Sequence, residues 1–129
     1  PTLCELAGLP VPGHVQGRSL APLVADPDRP WEGVALSQFP RPVRVSTPDV
    51  RPEPDDCMGY SIRTDRYRLT LWKHVLPPHD EVAAELYDYE RDPLETENLI
   101  DRPEYASVVA DLRRVLAERR AVGPSETRS

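Results

Sequence analysis

The residues able to do chemistry are few and scattered. His14, His74 and His79 fit no zinc spacing, and His74 and His79, five apart in a proline-containing stretch, make at most a weak metal pair. Asp88, Glu90, Asp92, Glu95 and Glu97 cluster along the chain but lack the glycine and the fixed ligand positions of an EF-hand. They read as the solvated edge of a strand and turn. No Gly-x-Ser-x-Gly elbow marks a serine hydrolase. Cys4 and Cys57 could pair, which sequence alone leaves open. Cys4, in a leucine-rich turn, reads as a small buried hydrophobe rather than a reactive thiol.

These residues must be positioned by short elements. Pro1 to Leu9 predicts a short helix capped by Thr2, with Glu5 as capping-box partner and Leu3 and Leu6 as its apolar side. Gly8 suits a left-handed C-terminal position, and Pro10 stops the helix. A loop-rich connector to Pro30 holds one helical turn near 17–23. A first strand centres on Val34 to Phe39. Five prolines between Pro40 and Pro54 argue against a central strand or a helix and predict a long exposed excursion. Met58–Thr64 and Tyr67–Lys73 predict a hairpin turning at Thr64-Asp65-Arg66. In its second strand Tyr67, Leu69 and Leu71 alternate with Arg68, Thr70 and Trp72. Ala84–Tyr89 predicts a fourth strand.

The last helix has the strongest local pattern. Asp101 suits the N-cap, Pro103 the first turn, and Ile100 with Tyr105 a hydrophobic staple. Tyr105, Val108, Val109, Leu112, Val115 and Leu116 then repeat at helical spacing. Arginines 113, 114, 119 and 120 favour the negative end of the helix dipole, and Gly123-Pro124 ends the helix. The sum is an α+β layer: a four-stranded antiparallel sheet under one long C-terminal helix, preceded by a short helix and connector.

At 129 residues the chain can bury one core, although sixteen prolines beside one Phe and one Met keep that core modest. A formal charge of −6 opposes non-specific binding to nucleic acid or to an anionic membrane. It also disfavours a free-standing site for a sulfated polyanion. No apolar run is long enough to span a bilayer.

Four tracts in order carry a family resemblance: Ser37-Gln-Phe-Pro-Arg-Pro42, Met58-Gly-Tyr-Ser-Ile-Arg-Thr64, Tyr67-Arg-Leu-Thr-Leu-Trp72, and the pattern Glu85-Leu-Tyr, Asp92-Pro, Glu95 and Asn98-Leu99. Together they resemble the C-terminal end of the sulfatases of the alkaline-phosphatase superfamily. The first two tracts point to the iduronate-2-sulfatase-like branch. The resemblance covers nearly the whole chain, with Pro1 to Pro12 and Gly17-Arg-Ser-Leu20 similar to the stretch leaving the catalytic domain.

The resemblance implies a division into 1–30 (the end of the catalytic domain and its connector), 31–123 (the C-terminal subdomain) and 124–129 (a disordered tail). It implies a fragment or processed subunit, inactive and marginally stable alone, packed on an N-terminal catalytic domain that acts on a sulfate ester, such as one on a glycan. Leu3, Leu6 and Leu9 would leave an apolar patch bare. The full enzyme would carry calcium and a formylglycine, the latter made in a Cys/Ser-x-Pro-x-Arg motif. Neither cysteine begins that motif. Ser37-Gln-Phe-Pro-Arg41 has its proline one place late, and Ser46-Thr-Pro-Asp-Val50 lacks the arginine. The nucleophile and metal site are therefore expected to lie outside this chain. Asp55-Asp56 resembles the acidic pair of a sulfatase calcium site but reads as a solvated turn.

Gln38, Arg41 and Glu85 become candidates for the pocket rim or the interdomain contact. Their structural alternatives are a loop anchor for Arg41 and a strand-edge salt bridge for Glu85. Arg63 reads as a structural arginine in need of a carboxylate. Two other functions compete: the tail of a phosphonate or phosphate monoester hydrolase of the same superfamily, and a stand-alone interaction module.

Overall fold

The computed structural model describes residues 1–15, 17–31, 33–42 and 51–121. The expected tail, the Gly123-Pro124 stop, the near-miss motif at 46–50 and most of the proline-rich excursion lie outside the described residues. Two compact units form, Pro1–Glu32 and Gly33–Gly123.

In the first unit, α1 spans Thr2–Leu6 and α2 spans Ala21–Ala25. The expected capping box does not form. Pro1 takes the N-cap position, so Thr2 already lies inside the helix and cannot fold back onto the first amides. Thr2 Oγ1 instead accepts the Leu20 amide at 2.9 Å, and Glu5 Oε2 accepts the Ser19 hydroxyl at 2.6 Å. Both oxygens thus fasten the turn that leads into α2. The other end of α1 follows the sequence. Gly8 has φ +67°, the Leu9 amide donates to the Cys4 carbonyl at 2.8 Å, and the Gly8 amide to the Glu5 carbonyl at 3.1 Å. These are the paired bonds of a Schellman turn, which needs a residue tolerant of positive φ. Leu3, Leu6 and Leu9 are exposed, and Cys4 is half-buried rather than buried.

The second unit holds a four-stranded antiparallel meander: β1 (Ala35–Arg41), β2 (Cys57–Arg63), β3 (Tyr67–His74) and β4 (Glu81–Asp88), in that spatial order. β1 runs through Pro40 and Arg41, past the expected end at Phe39. An edge strand tolerates a proline because one side of it has no ladder to complete. β4 begins three residues earlier than expected. Trp72 pairs with Ala83 and Lys73 with Glu81, so Val82 is an extra residue that hides the strand's alternation. The hairpin turns where predicted: the Thr64 amide donates to the Tyr67 carbonyl at 2.9 Å, and Thr64 Oγ1 accepts the Tyr67 amide at 2.9 Å.

Strand parity sends Ile62, Leu69, Leu71 and Leu86 to one face. The helix α3 (Ala106–Ala121) lays Leu112 and Leu116 on that face, and Tyr105 and Leu99 complete the buried core. Full burial of each such side chain contributes about 1.5–3 kcal/mol. The start of the helix differs from expectation. A 3-10 turn at Pro103–Tyr105 precedes α3, with Arg102 rather than Asp101 in the cap position and no side-chain cap bond. Pro103 begins that tight turn, and Tyr105 is pulled into the core, its hydroxyl donating to Asp88 Oδ2 at 3.2 Å. Arg113 clasps Glu81 with two bonds of 2.6 and 2.7 Å, tying α3 to β4.

Asp88 is fully buried at the end of β4. Arg66 donates to it twice, at 3.0 and 2.7 Å, and the Glu90 amide donates at 3.2 Å. The Arg66 guanidinium bonds above all, and the amide and phenol donors with it, hold the Asp88 carboxyl below the usual carboxylate range despite burial. A depressed folded-state pKa contributes stability above the unfolded value, near 3.9, and that stability is lost as pH falls below it. In urea titrations we expect wild type to weaken from pH 6 to pH 3. We expect Asp88→Asn to cost about 2 kcal/mol at pH 6, and the gap to narrow at pH 3. A pH-independent gap would exclude this carboxylate as the source.

Candidate functional site

The face of the sheet opposite α3 is concave and polar. Alternation brings Ser37, Phe39 and Arg41 of β1 to it, Gly59, Ser61 and Arg63 of β2, Arg68, Thr70 and Trp72 of β3, and Glu85 of β4. These residues line a concavity of about 330 Å³. Among the described residues of this unit, no helix or further strand lies on that face.

Trp72 is its centre. The indole lies flat across β2, directly over Gly59, its partner in register. A Cβ at residue 59 would meet the ring at 2.7 Å, so only glycine permits this close approach. The Arg41 guanidinium stacks 4.2 Å from the ring centroid on β1, and the indole Nε1 donates to Glu85 Oε1 at 2.9 Å on β4. One aromatic side chain therefore joins a cation and a carboxylate across four strands. Arg63 and Arg68 repeat the arrangement nearer the hairpin end. Arg63 lies 3.2 Å from the Tyr89 ring centroid and donates through Nε to the Thr64 carbonyl at 2.8 Å. The carboxylate partner expected for Arg63 is absent among the described residues; a ring face and a carbonyl take its place. Arg68 lies 5.2 Å from the Tyr87 ring and pairs with Glu95, which also accepts the Tyr89 hydroxyl.

The hydroxyls here are structural. Thr70 Oγ1 donates to Ser61 Oγ at 3.0 Å, and Ser61 Oγ to the Leu69 carbonyl at 3.3 Å. Among the described residues no histidine lines this face. Arg41 keeps its hydrogen-bonding edge unclaimed among the described residues, which suits a planar carboxylate or a sulfate.

Of the three candidates read from the sequence, Arg41 and Glu85 meet through Trp72. Gln38 does not join them. It lies three residues from Arg41 in a strand, an odd spacing that sends it to the other face, near Tyr60, Leu116 and Arg120. Trp72, which the sequence offers as an interface residue or a sugar-stacking ring, becomes the centre of the site; Gly59 and Arg68 were missed, although the β3 alternation already put Arg68 on the same face as Trp72. Asp56 takes no part. Its buried carboxylate accepts the Glu53 amide at 2.7 Å, closing a turn. Among the described residues no group of three His, Cys, Asp or Glu could hold a metal ion, so none fits the calcium that the resemblance implied.

Gly59→Ala should displace the Trp72 ring and dismantle the Arg41 stack. In a Trp31→Phe background we expect a red-shifted indole emission and a stability loss of about 2 kcal/mol. An unchanged spectrum would show that the ring does not need the glycine.

A family model for the C-terminal part of N-sulphoglucosamine sulphohydrolase matches residues 1–122. Mouse iduronate 2-sulfatase is 35% identical over 88% of this chain and 26% of its own length. A Delta 4,5-hexuronate-2-O-sulfatase of Bacteroides thetaiotaomicron is 35% identical over 90% of this chain and 21% of its own. The structure of BT4656 in complex with its substrate D-glucosamine-2-N,6-O-disulfate aligns with TM-score 0.65 and 25% identity, over 99% of this chain and 25% of that one. The chain thus spans about a quarter of the length of these relatives. With its meander, its single covering helix and a match running from residue 1 to residue 122, the chain belongs to the sulfatase C-terminal family.

Proposed function

We propose that this chain serves as the C-terminal subdomain of a sulfuric ester hydrolase and packs on its catalytic domain through the open face of the sheet. One observation carries the proposal. In a chain of this family, the sheet face on which no described helix lies is the one where Arg41, Trp72 and Glu85 interlock. Such a face either seals against the catalytic domain or closes one wall of the substrate pocket.

In the pocket-wall role, Trp72 holds both charged groups still. The Arg41 edge offers parallel N–H donors to a carboxylate or sulfate oxygen of the substrate, and Glu85 accepts from a sugar hydroxyl. Gln38, on the α3 side of the sheet, would contribute only through a contact away from this wall. The nucleophile and the calcium belong to the catalytic domain; calcium there would offset charge on the sulfate group, and no ligand for it is assigned in this chain. The relatives act on uronate 2-sulfates and a sulfated glucosamine, which supports a sulfated sugar as the substrate class.

The test begins by extending the reading frame upstream and assaying the longer product on sulfate and phosphate esters of the same sugars. We expect an in-frame Cys/Ser-x-Pro-x-Arg motif, turnover of the sulfate ester, and no turnover by the 129-residue chain alone. Preferred turnover of the phosphate ester would transfer the chain to a phosphohydrolase. Activity of the isolated chain, or the absence of any upstream frame, would overturn the proposal. In the longer enzyme Arg41→Ala should raise KM roughly tenfold with little change in kcat, the mark of lost substrate binding. A fall in kcat with unchanged KM would remove Arg41 from the binding wall.

A further inference from the structure

On the α3 side of the same sheet, a second concavity of about 390 Å³ gathers the cations that the chain's overall charge argues against. Lys73 and His74 come from the end of β3, His79 from the turn before β4, Arg120 from the last turn of α3, and Tyr60 from β2. The Arg120 guanidinium lies 3.5 Å from the Tyr60 ring centroid, which fixes its plane without neutralising it. Glu81 stands opposite Lys73 in register, but Arg113 holds its carboxylate with two short bonds. Neither Lys73 nor Arg120 has a carboxylate within ion-pair reach among the described residues.

The loop carrying the histidines is pinned rather than loose. The His74 amide donates to the Asp80 carbonyl at 2.9 Å, the His79 amide to the Leu76 carbonyl at 3.0 Å, and His79 Nδ1 lies 3.3 Å from the His74 carbonyl oxygen. The Val75 amide adds a bond of 2.8 Å to the Asp56 carbonyl. Among the described residues, two permanent cations without a carboxylate in ion-pair reach and two imidazoles thus converge on one hollow with no acidic lining residue.

We propose that this hollow is an anion subsite that holds a sulfate or carboxylate group of an extended glycan, at a distance from the reacting sugar. The choice of a glycan rests on the sulfatase reading; the choice of an anion rests on the cluster alone. The hollow lies across the sheet from the Arg41–Trp72–Glu85 face, so one chain would touch a polymeric substrate at two separate places.

Titration of the 15N-labelled 129-residue chain with a heparin-derived tetrasaccharide tests this. We expect saturable shifts at Tyr60, His74, His79 and Arg120, and weak or no binding of the desulfated tetrasaccharide. The double variant Lys73→Gln/Arg120→Gln should bind roughly tenfold more weakly or worse while keeping the amide spectrum of a folded chain, whereas Arg114→Gln, an exposed α3 arginine outside the hollow, should bind as wild type does. No binding by wild type, or equal binding by the double variant, would overturn the subsite. Equal affinity for inorganic sulfate would reduce it to a site for small anions, and equal affinity for an oligonucleotide would overturn the glycan assignment. Because binding is read without turnover, these outcomes are independent of the hydrolase assay.

Discussion

The buried carboxylate of Asp88 is the constraint on which the arrangement of this fold depends. It stands where three chain segments converge: the hairpin through Arg66, the end of β4, and the start of the helical segment through Tyr105. An unpaired charge in that position would be untenable, so the three segments must meet in one way only. Tyr105 is set edge-on against Tyr67, with ring centroids 6.4 Å apart, and α3 is launched across the leucines of the central strands. One face of the sheet is thereby committed to the core. The other becomes available for work.

On that available face the organising contact is between a cation and a ring. Arg41, Arg63 and Arg68 each rest on an aromatic side chain, Trp72, Tyr89 and Tyr87 respectively. Each such contact is worth about 0.5–1 kcal/mol at an exposed site. Stacking occupies the flat face of a guanidinium and leaves its edge free to donate. The arrangement restrains three mobile side chains; Arg63 and Arg68 also spend donors on the Thr64 carbonyl and on Glu95, whereas Arg41 is held by its ring contact alone among the described residues, which is what a recognition surface needs.

The fold was largely legible because its signals are local. The leucine alternation in β3, the helical stripe from Tyr105 to Leu116 and the turn at Thr64 to Arg66 each declare one element within a few residues. What sequence missed was decided between elements. The capping oxygens of Thr2 and Glu5 found a better use at Leu20 and Ser19, 18 and 14 residues away along the chain. Val82 was an unpaired residue that only the register of β3 against β4 reveals. At the candidate site, the parity separating Gln38 from Arg41 was present in the sequence once a strand was assigned. The clasp of Arg41, Trp72 and Glu85 was not, because it requires four strands in register. The cationic hollow was invisible for the same reason: net charge is an average, and Lys73 and Arg120 are brought together only by α3 crossing the sheet.

The edges of the sheet carry a consequence of their own. Asn98 lies along the outer side of β4, accepting the Leu86 amide at 2.9 Å and donating to the Ala84 carbonyl at 3.1 Å, while the Leu99 amide donates to the Leu86 carbonyl at 2.9 Å. A side-chain amide there does the work of a fifth strand. At the opposite border, β1 includes Pro40, which has no amide hydrogen to offer. An incoming strand therefore finds one border already satisfied and the other interrupted. Both borders thus disfavour extension of the ladder, which leaves the side chains on the faces as the surfaces for contact.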